Sequence, residues 1–168
     1  MIASDSLAYV KKHKLYSTEA DKISYLAKLA NVNVIIVARK DFANLESLAG
    51  KRVATGPVDS DEFVAADLIF GNFDVAFDRV STSGKKAVTQ LEEGRLDAAI
   101  FAGADTYPLL ASIKNSNEFH ILQISVAEDL ADAFSPAILS AADLPNLIPE
   151  GEFVETVASA LVLAVFDW

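Results

Sequence analysis

LAGKRVATGPVDSDEFVAADLIF at residues 48–70, followed by FDRVSTSGKKAVTQLEEGRLDAAIFAGA at residues 77–104, decides the fold. Arg52 to Thr55 is a short strand that runs into the Gly56-Pro57 turn, and Ser60 is placed to cap a helix through Phe70. Asp61 and Glu62 fall in that helix's first turn, where negative charge suits the helix dipole. Asp78 to Ser81 is the next strand. Ser83 or Gly84 opens a helix to Glu93, Gly94 closes it, and Leu96 to Ala102 is a third strand. Strands alternating with helices, with polar turns at the carboxyl ends of the strands, predict an α/β fold with an open sheet and a ligand cleft.

Upstream, Ser4 or Asp5 can cap a first helix that turns Leu7, Ala8 and Val10 inward and carries Lys11, Lys12 and Lys14 near its end. Ile23, Leu26, Ala27 and Ala30 share one side of a helix drawn over Ala20 to Ala30, and Val32 to Ala38 is a strand dense in Val and Ile. Phe42 to Gly50 is a connector. Downstream, Asp105 or Thr106 caps a helix to Lys114, with Pro108 acceptable in its first turn. Phe119 to Ile124 is a strand, Ala127 to Phe134 a short helix and Ser135 to Leu139 an extended piece. Ala142 to Gly151 is a loop, and Phe153 to Phe166 a long strand. Its apolar part, Val157 to Phe166, is too short to span a bilayer and reads as buried.

Composition narrows the function. A chain of 168 residues that is 52% hydrophobic can bury a real core. Its 24 acidic and 14 basic residues give a net charge of -10, and the Lys and Arg form no stripe that could follow a phosphate backbone. Nucleic acid and anionic membrane surfaces are therefore poor partners. With no cysteine, thiol catalysis, disulfides and thiolate metal sites are excluded. His13 and His120 form no two-histidine pair. Asp59, Asp61 and Glu62 could offer oxygens to Mg²⁺ or Ca²⁺ but lack the six-to-eight-oxygen loop pattern, so no metal is assigned. No GxSxG, Walker or GxGxxG motif occurs, so an enzyme and a cofactor have no residue-level support. After Met1 no basic segment leads into an apolar run, so no signal peptide is expected within the chain.

Several segments together resemble one family: ASDSLAYVKK, ISYLAKLANVNVIIVARKD, SLAGKRVATG, EEGRLDAAIFAGA and, most specifically, SPAILSAADLPNLIPEGEFVETVASALVLAVFDW. They are similar to the TAXI-type solute-binding proteins of TRAP transporters, which have the two-lobed type II periplasmic-binding-protein fold. The resemblance implies a partial chain, without the N-terminal half-lobe and the C-terminal helix of the family. Residues 1–46 and 140–168 would form part of the first lobe and residues 47–139 a second lobe. It further implies a periplasmic receptor that captures a small organic anion or amino acid and presents it to membrane transporter subunits, without chemistry on the solute. The alternative is a non-catalytic interaction or scaffold module with a degenerate ligand site. An exposed lobe face would allow a homodimer.

The candidate ligand-binding residues are Asp5, Ser60, Asp61, Glu62, Ser81, Thr82, Ser83, Gly103 and Tyr107, of which Ser60, Ser81, Thr82, Ser83 and Tyr107 are polar groups that could face a cleft. Three departures from the family pattern bear on them. Where the family has Ser-Gly-Thr at a helix N-terminus, an anion-binding arrangement, this chain has Ser60-Asp61-Glu62, whose carboxylates repel an anion. An Asn-Glu-Glu-Val-His type approach to a strand is here Asn31-Val32-Asn33-Val34, and an AGKP-like turn is Ala102-Gly103-Ala104-Asp105. Either the solute differs from a typical small carboxylate, or the copy has drifted and holds no tight ligand. Ser60, Ser81, Thr82, Ser83 and Tyr107 can equally serve as turn residues or caps.

Overall fold

The computed structural model describes residues 2–15 and 22–166. Its longest elements are two strands, β2 (Ile23–Arg39) and β8 (Phe153–Phe166), paired antiparallel from Ile23↔Phe166 to Val34↔Val157. Beyond that point β2 leaves β8 and continues between β5 (Ala98–Phe101) and β6 (Phe119–Ile121), antiparallel to both. β3 (Arg52–Ala54) lies parallel to β5 on one side and to β4 (Asp78–Val80) on the other. β1 (Ile2–Ala3) and β7 (Phe134–Ser140) flank β8. The order along the sheet is β1-β8-β2-β5-β3-β4, so β2 belongs to both ends of the molecule.

The inner part of β2 reads as a continuous apolar run because both of its faces are covered. Val34, Ile36 and Ala38 point to one core with Val53, Ile100 and the buried side of α2 (Asp61–Asn72), including Ile69 and Phe70. Ile35 and Val37 alternate to the other face, against Phe101 and Ala87, Val88 and Leu91 of α3 (Gly84–Glu92) and Leu110 of α4 (Thr106–Ala111). The α/β expectation for residues 48–104 holds, with Ser60 as N-cap of α2, its hydroxyl accepting the Phe63 amide at 3.2 Å. Gly94, at φ 70°, follows the C-cap of α3 in the left-handed conformation that glycine takes without strain.

The expected helix over Ala20 to Ala30 is a strand from Ile23 onward; Ala20 and Asp21 lie outside the described residues. The helix-like spacing has a physical origin. The ladder to β8 slips between Tyr25 and Ala27 and again between Lys28 and Ala30, leaving Leu26 and Leu29 as unpaired bulge residues. Each bulge resets the period-two alternation, so the apolar pattern imitates a longer period. α1 (Ser4–Lys12) starts one residue early: Ala3 is its N-cap, and neither Ser4 nor Asp5 caps it, because both side chains turn toward β8 and the loop beside it.

Three other elements are shorter than the periodicity predicts. α4 ends at Ala111, where the Ser112 hydroxyl and amide both bond to the Leu109 carbonyl and tighten the turn, and neither Asp105 nor Thr106 provides a side-chain cap. The helix expected from Ala127 to Phe134 is a single 3-10 turn, Glu128–Leu130, and Phe134 already belongs to β7. β6 stops at Ile121, although the Leu122 amide still reaches the Ile36 carbonyl at 2.9 Å. Finally, among the described side chains of β8 the buried ones are Thr156–Ser159 and Val162, while Leu163 and Val165 are exposed. Among the described residues, no helix is long and apolar enough to cross a membrane.

Candidate functional site

Where β2 crosses from one part of the sheet to the other, a cavity of about 310 Å³ opens between the starts of α1 and α2. Val32 and Val34 of β2, and Ser159 and Leu161 of β8, form its floor. Asp5 and Ser6 from α1, Asp61 from α2 and Ala102 just past β5 supply its walls. The position follows from the topology: α2 begins after the carboxyl end of β3 and Ala102 after the carboxyl end of β5, two neighbouring parallel strands. An open α/β sheet binds its ligands outside such strand ends. A larger hollow of about 540 Å³ on another face of α1 is lined by Lys11, Lys12, Leu68 and Asp129 and touches no carboxyl end of the parallel strands.

Asp5 is the buried polar centre of the cavity, only 3% exposed. Its Oδ1 accepts the Ser6 amide at 2.8 Å and the Ser159 hydroxyl at 2.9 Å. Ser4 joins the cluster, donating to the Ala133 carbonyl at 2.6 Å and accepting the Ala160 amide at 2.9 Å. Burial pushes the Asp5 carboxyl above the ordinary aspartate range; the Ser159 and Ser6 hydrogen bonds oppose the shift, and the charge of Asp61 adds to it. Burial likewise raises Glu62, against hydrogen bonds from its own backbone and Ser60, with the Asp61 charge again adding. Three carboxylates thus sit near the same pair of helix starts.

The other expected ligand residues divide between two places. Ser60 and Glu62 pack over the Gly56 turn: a Cβ at Gly56, which has φ 71°, would lie 2.4 Å from Ser60 Oγ and 3.3 Å from Glu62 Oε2. Only glycine fits both that conformation and that space. The Gly56 amide donates to the Thr82 carbonyl at 3.0 Å, which ties this turn to the end of β4. Thr82 is buried, and its hydroxyl has no hydrogen-bond partner among the described residues. Ser81 is exposed, Ser83 is the N-cap residue of α3 without a side-chain cap bond, and Gly103 at φ 112° has open space around it. Tyr107 turns to β2, where its hydroxyl accepts Asn33 Nδ2 at 2.7 Å.

The cavity therefore brings Asp5 and Asp61 together, while Ser81, Thr82, Ser83, Gly103 and Tyr107 do not line it. Ser159 was not among the residues expected from the sequence, and Asn33 figured there only as part of a departure from the family pattern. Ser159 carried a usable signal, a lone hydroxyl within the apolar run Val157–Phe166. His13 and His120 have structural partners, Nε2 of each lying 2.8 Å from Asp67 Oδ2 and 2.6 Å from the Phe42 carbonyl respectively. Among the described residues no three His, Cys, Asp or Glu side chains form a group that could hold a metal ion.

No protein-family model matches the chain, and no curated protein matches its sequence. Solved structures do. A TctC solute-binding protein from Polaromonas is similar over 96% of this chain and 56% of its own length, with 15% identity and a TM-score of 0.55. An ABC transporter/periplasmic binding protein from Brucella ovis with glutathione bound matches 73% of this chain and 44% of its own, with 13% identity and a TM-score of 0.48. The arginine-bound, truncated ArgBP of T. maritima matches 87% and 53%, with 18% identity and a TM-score of 0.46. The chain spans about half the length of these structures. Through the Polaromonas match, the open sheet flanked by helices is an α/β fold shared with a solute-binding protein.

Proposed function

We propose that this chain captures a small organic solute, an amino acid or organic acid, at the cavity between the starts of α1 and α2. The observation that carries the reading is the placement of a buried, titratable side chain, Asp5, in a cavity at the carboxyl ends of the parallel strands. The fold supports it, because the proteins that share it include solute-binding proteins. In this reading residues 47–139 are one lobe, and residues 1–46 with 140–168 contribute to another, β2 and β8 being the strands that cross between them. Capture excludes water from the cavity and involves no bond-making on the solute. Delivery to TRAP-type transporter subunits in the periplasm, as a protein of the TAXI type, is the finer part of the proposal and is supported by the sequence resemblance.

Isothermal titration of the 168-residue chain with a panel of amino acids and dicarboxylates tests the reading. One solute should bind, and Ala102→Trp, which fills the cavity, should abolish the heat while leaving the thermal transition cooperative. Binding that survives Ala102→Trp unchanged would remove the cavity from the proposal. A second reading, a scaffold that pairs with another copy, is favoured by the exposed Tyr25, Leu163 and Val165 on the outer ribbon. Sedimentation velocity separates the two: a dimer that no solute alters supports the scaffold.

A further inference from the structure

The solute reading leaves open which chemical group the cavity recognises, and the charges around it decide the sign. Two helix starts meet there, each contributing about half a positive charge, and two carboxylates, Asp5 and Asp61, each contribute a full negative one. About one negative charge is left unmet. None of the described residues lining the cavity is Lys, Arg or His. Asp5 is more than nine-tenths buried and lines the cavity, and the Ser6 amide and the Ser159 hydroxyl both bond to Oδ1, which leaves Oδ2 as the oxygen free to meet a ligand. An ionised carboxylate held in that way is costly unless a counter-charge reaches it.

Resting on the solute-capture reading, we propose that the group seated in this cavity is an organic cation with N–H donors, an ammonium or guanidinium, held between Asp5 and Asp61. Oδ2 of Asp5 accepts one of its N–H groups, and the Asp61 carboxylate, at the first position of α2, neutralises it from the other side. Charge-assisted hydrogen bonds of this kind are about twice as strong as neutral ones. A free carboxylate entering the same space would meet two like charges. Burial raises the Asp5 carboxyl and the Asp61 charge adds to it, so a cation placed between the two would favour the ionised form.

The experiment is a set of thermal melts and titrations of the wild-type chain, Asp5→Asn and Asp61→Asn with four probes at constant ionic strength: putrescine, arginine, succinate and calcium chloride. Asp5→Asn keeps the Oδ1 acceptor for Ser159 and removes the charge. The expected result is a rise in melting temperature with putrescine or arginine. Affinity should fall roughly ten- to a hundredfold in Asp5→Asn and less in Asp61→Asn, a solvent-exposed site that also reports if the buried variant fails to fold. A response to succinate alone would overturn the cation while leaving solute capture standing. A response to calcium alone, or a putrescine or arginine response unchanged in both variants, would overturn the organic-cation seat. No response to any probe would overturn the cation and the capture reading together.

Discussion

The two ends of β2 both carry large apolar side chains and meet opposite fates. From Val34 to Ala38 every residue is fully buried, with a helix layer on each face; from Ser24 to Asn31 every residue is exposed, although Tyr25, Leu26 and Leu29 are no less apolar. Ser24, Lys28 and Asn31 make the outer end more polar, but Leu26 and Leu29 differ from Ile35 and Ile36 chiefly in what lies beside and above them. The inner end lies between β5 and β6 beneath α2 and α3, and the outer end has β8 as its pairing partner. An apolar strand becomes core only where the topology supplies two covering layers. The border between the two regimes falls at the Val32↔Ser159 pair, where the cavity opens and Ser159 meets Asp5.

The sharpest way to break this comparison is to cut the same kind of side chain at both ends. Ile36→Ala should cost about 2 to 5 kcal/mol in denaturant unfolding, since it leaves a void in a close-packed core. A loss below about 1 kcal/mol would mean that the inner end is not packed as described. At the border, Ser159→Ala should cost about 1 to 3 kcal/mol near neutral pH, because it takes one of two donors from a buried carboxylate. The loss should shrink in acid as Asp5 takes up a proton.

Asp5→Asn sharpens the border further through its pH dependence. Because the folded Asp5 pKa is raised above its unfolded value, the folded state binds more protons between the two values. Wild-type stability relative to Asp5→Asn should therefore fall as pH rises from about 3.9 through the folded pKa. Asp67 gives the opposite sign. Burial alone would raise it, but the hydrogen bond to His13 and the charges of Lys12, His13 and Arg79 hold it below the ordinary range. Its contribution is present above the unfolded pKa and disappears as pH falls through the folded one, so wild type should lose ground to Asp67→Asn in acid. At the outer end, Leu26→Lys should change stability by less than about 0.5 kcal/mol in the same unfolding assay.

Residues 48–104 announced the α/β core because their caps, glycines and periodicities agree with the final structure. Residues 20–30 misled because two bulges broke the alternation that identifies a strand, and pairing with β8 overrode local preference. The site was partly legible. Asp5 was a cap candidate and Asp61 part of a departure from the family pattern, both among the candidate residues, and both line the cavity. Ser159 could not be placed beside Asp5 without the β1–β8 pairing that brings the two ends of the chain together. Tyr107 and Asn33 are 74 residues apart, and only the fold of α4 against β2 joins them.

The bulges in β2 have a consequence for changes in chain length. Leu26 and Leu29 are 61% and 50% exposed and sit opposite no partner residue in β8. Removing either one would close a bulge into regular ladder and keep the pairs on both sides, Tyr25↔Ala164 with Ala27↔Leu163 or Lys28↔Val162 with Ala30↔Leu161. Deleting Ile36 instead would turn every later inner residue of β2 to the opposite face of the sheet. A single strand thus contains a stretch where codons can be lost and a stretch where none can.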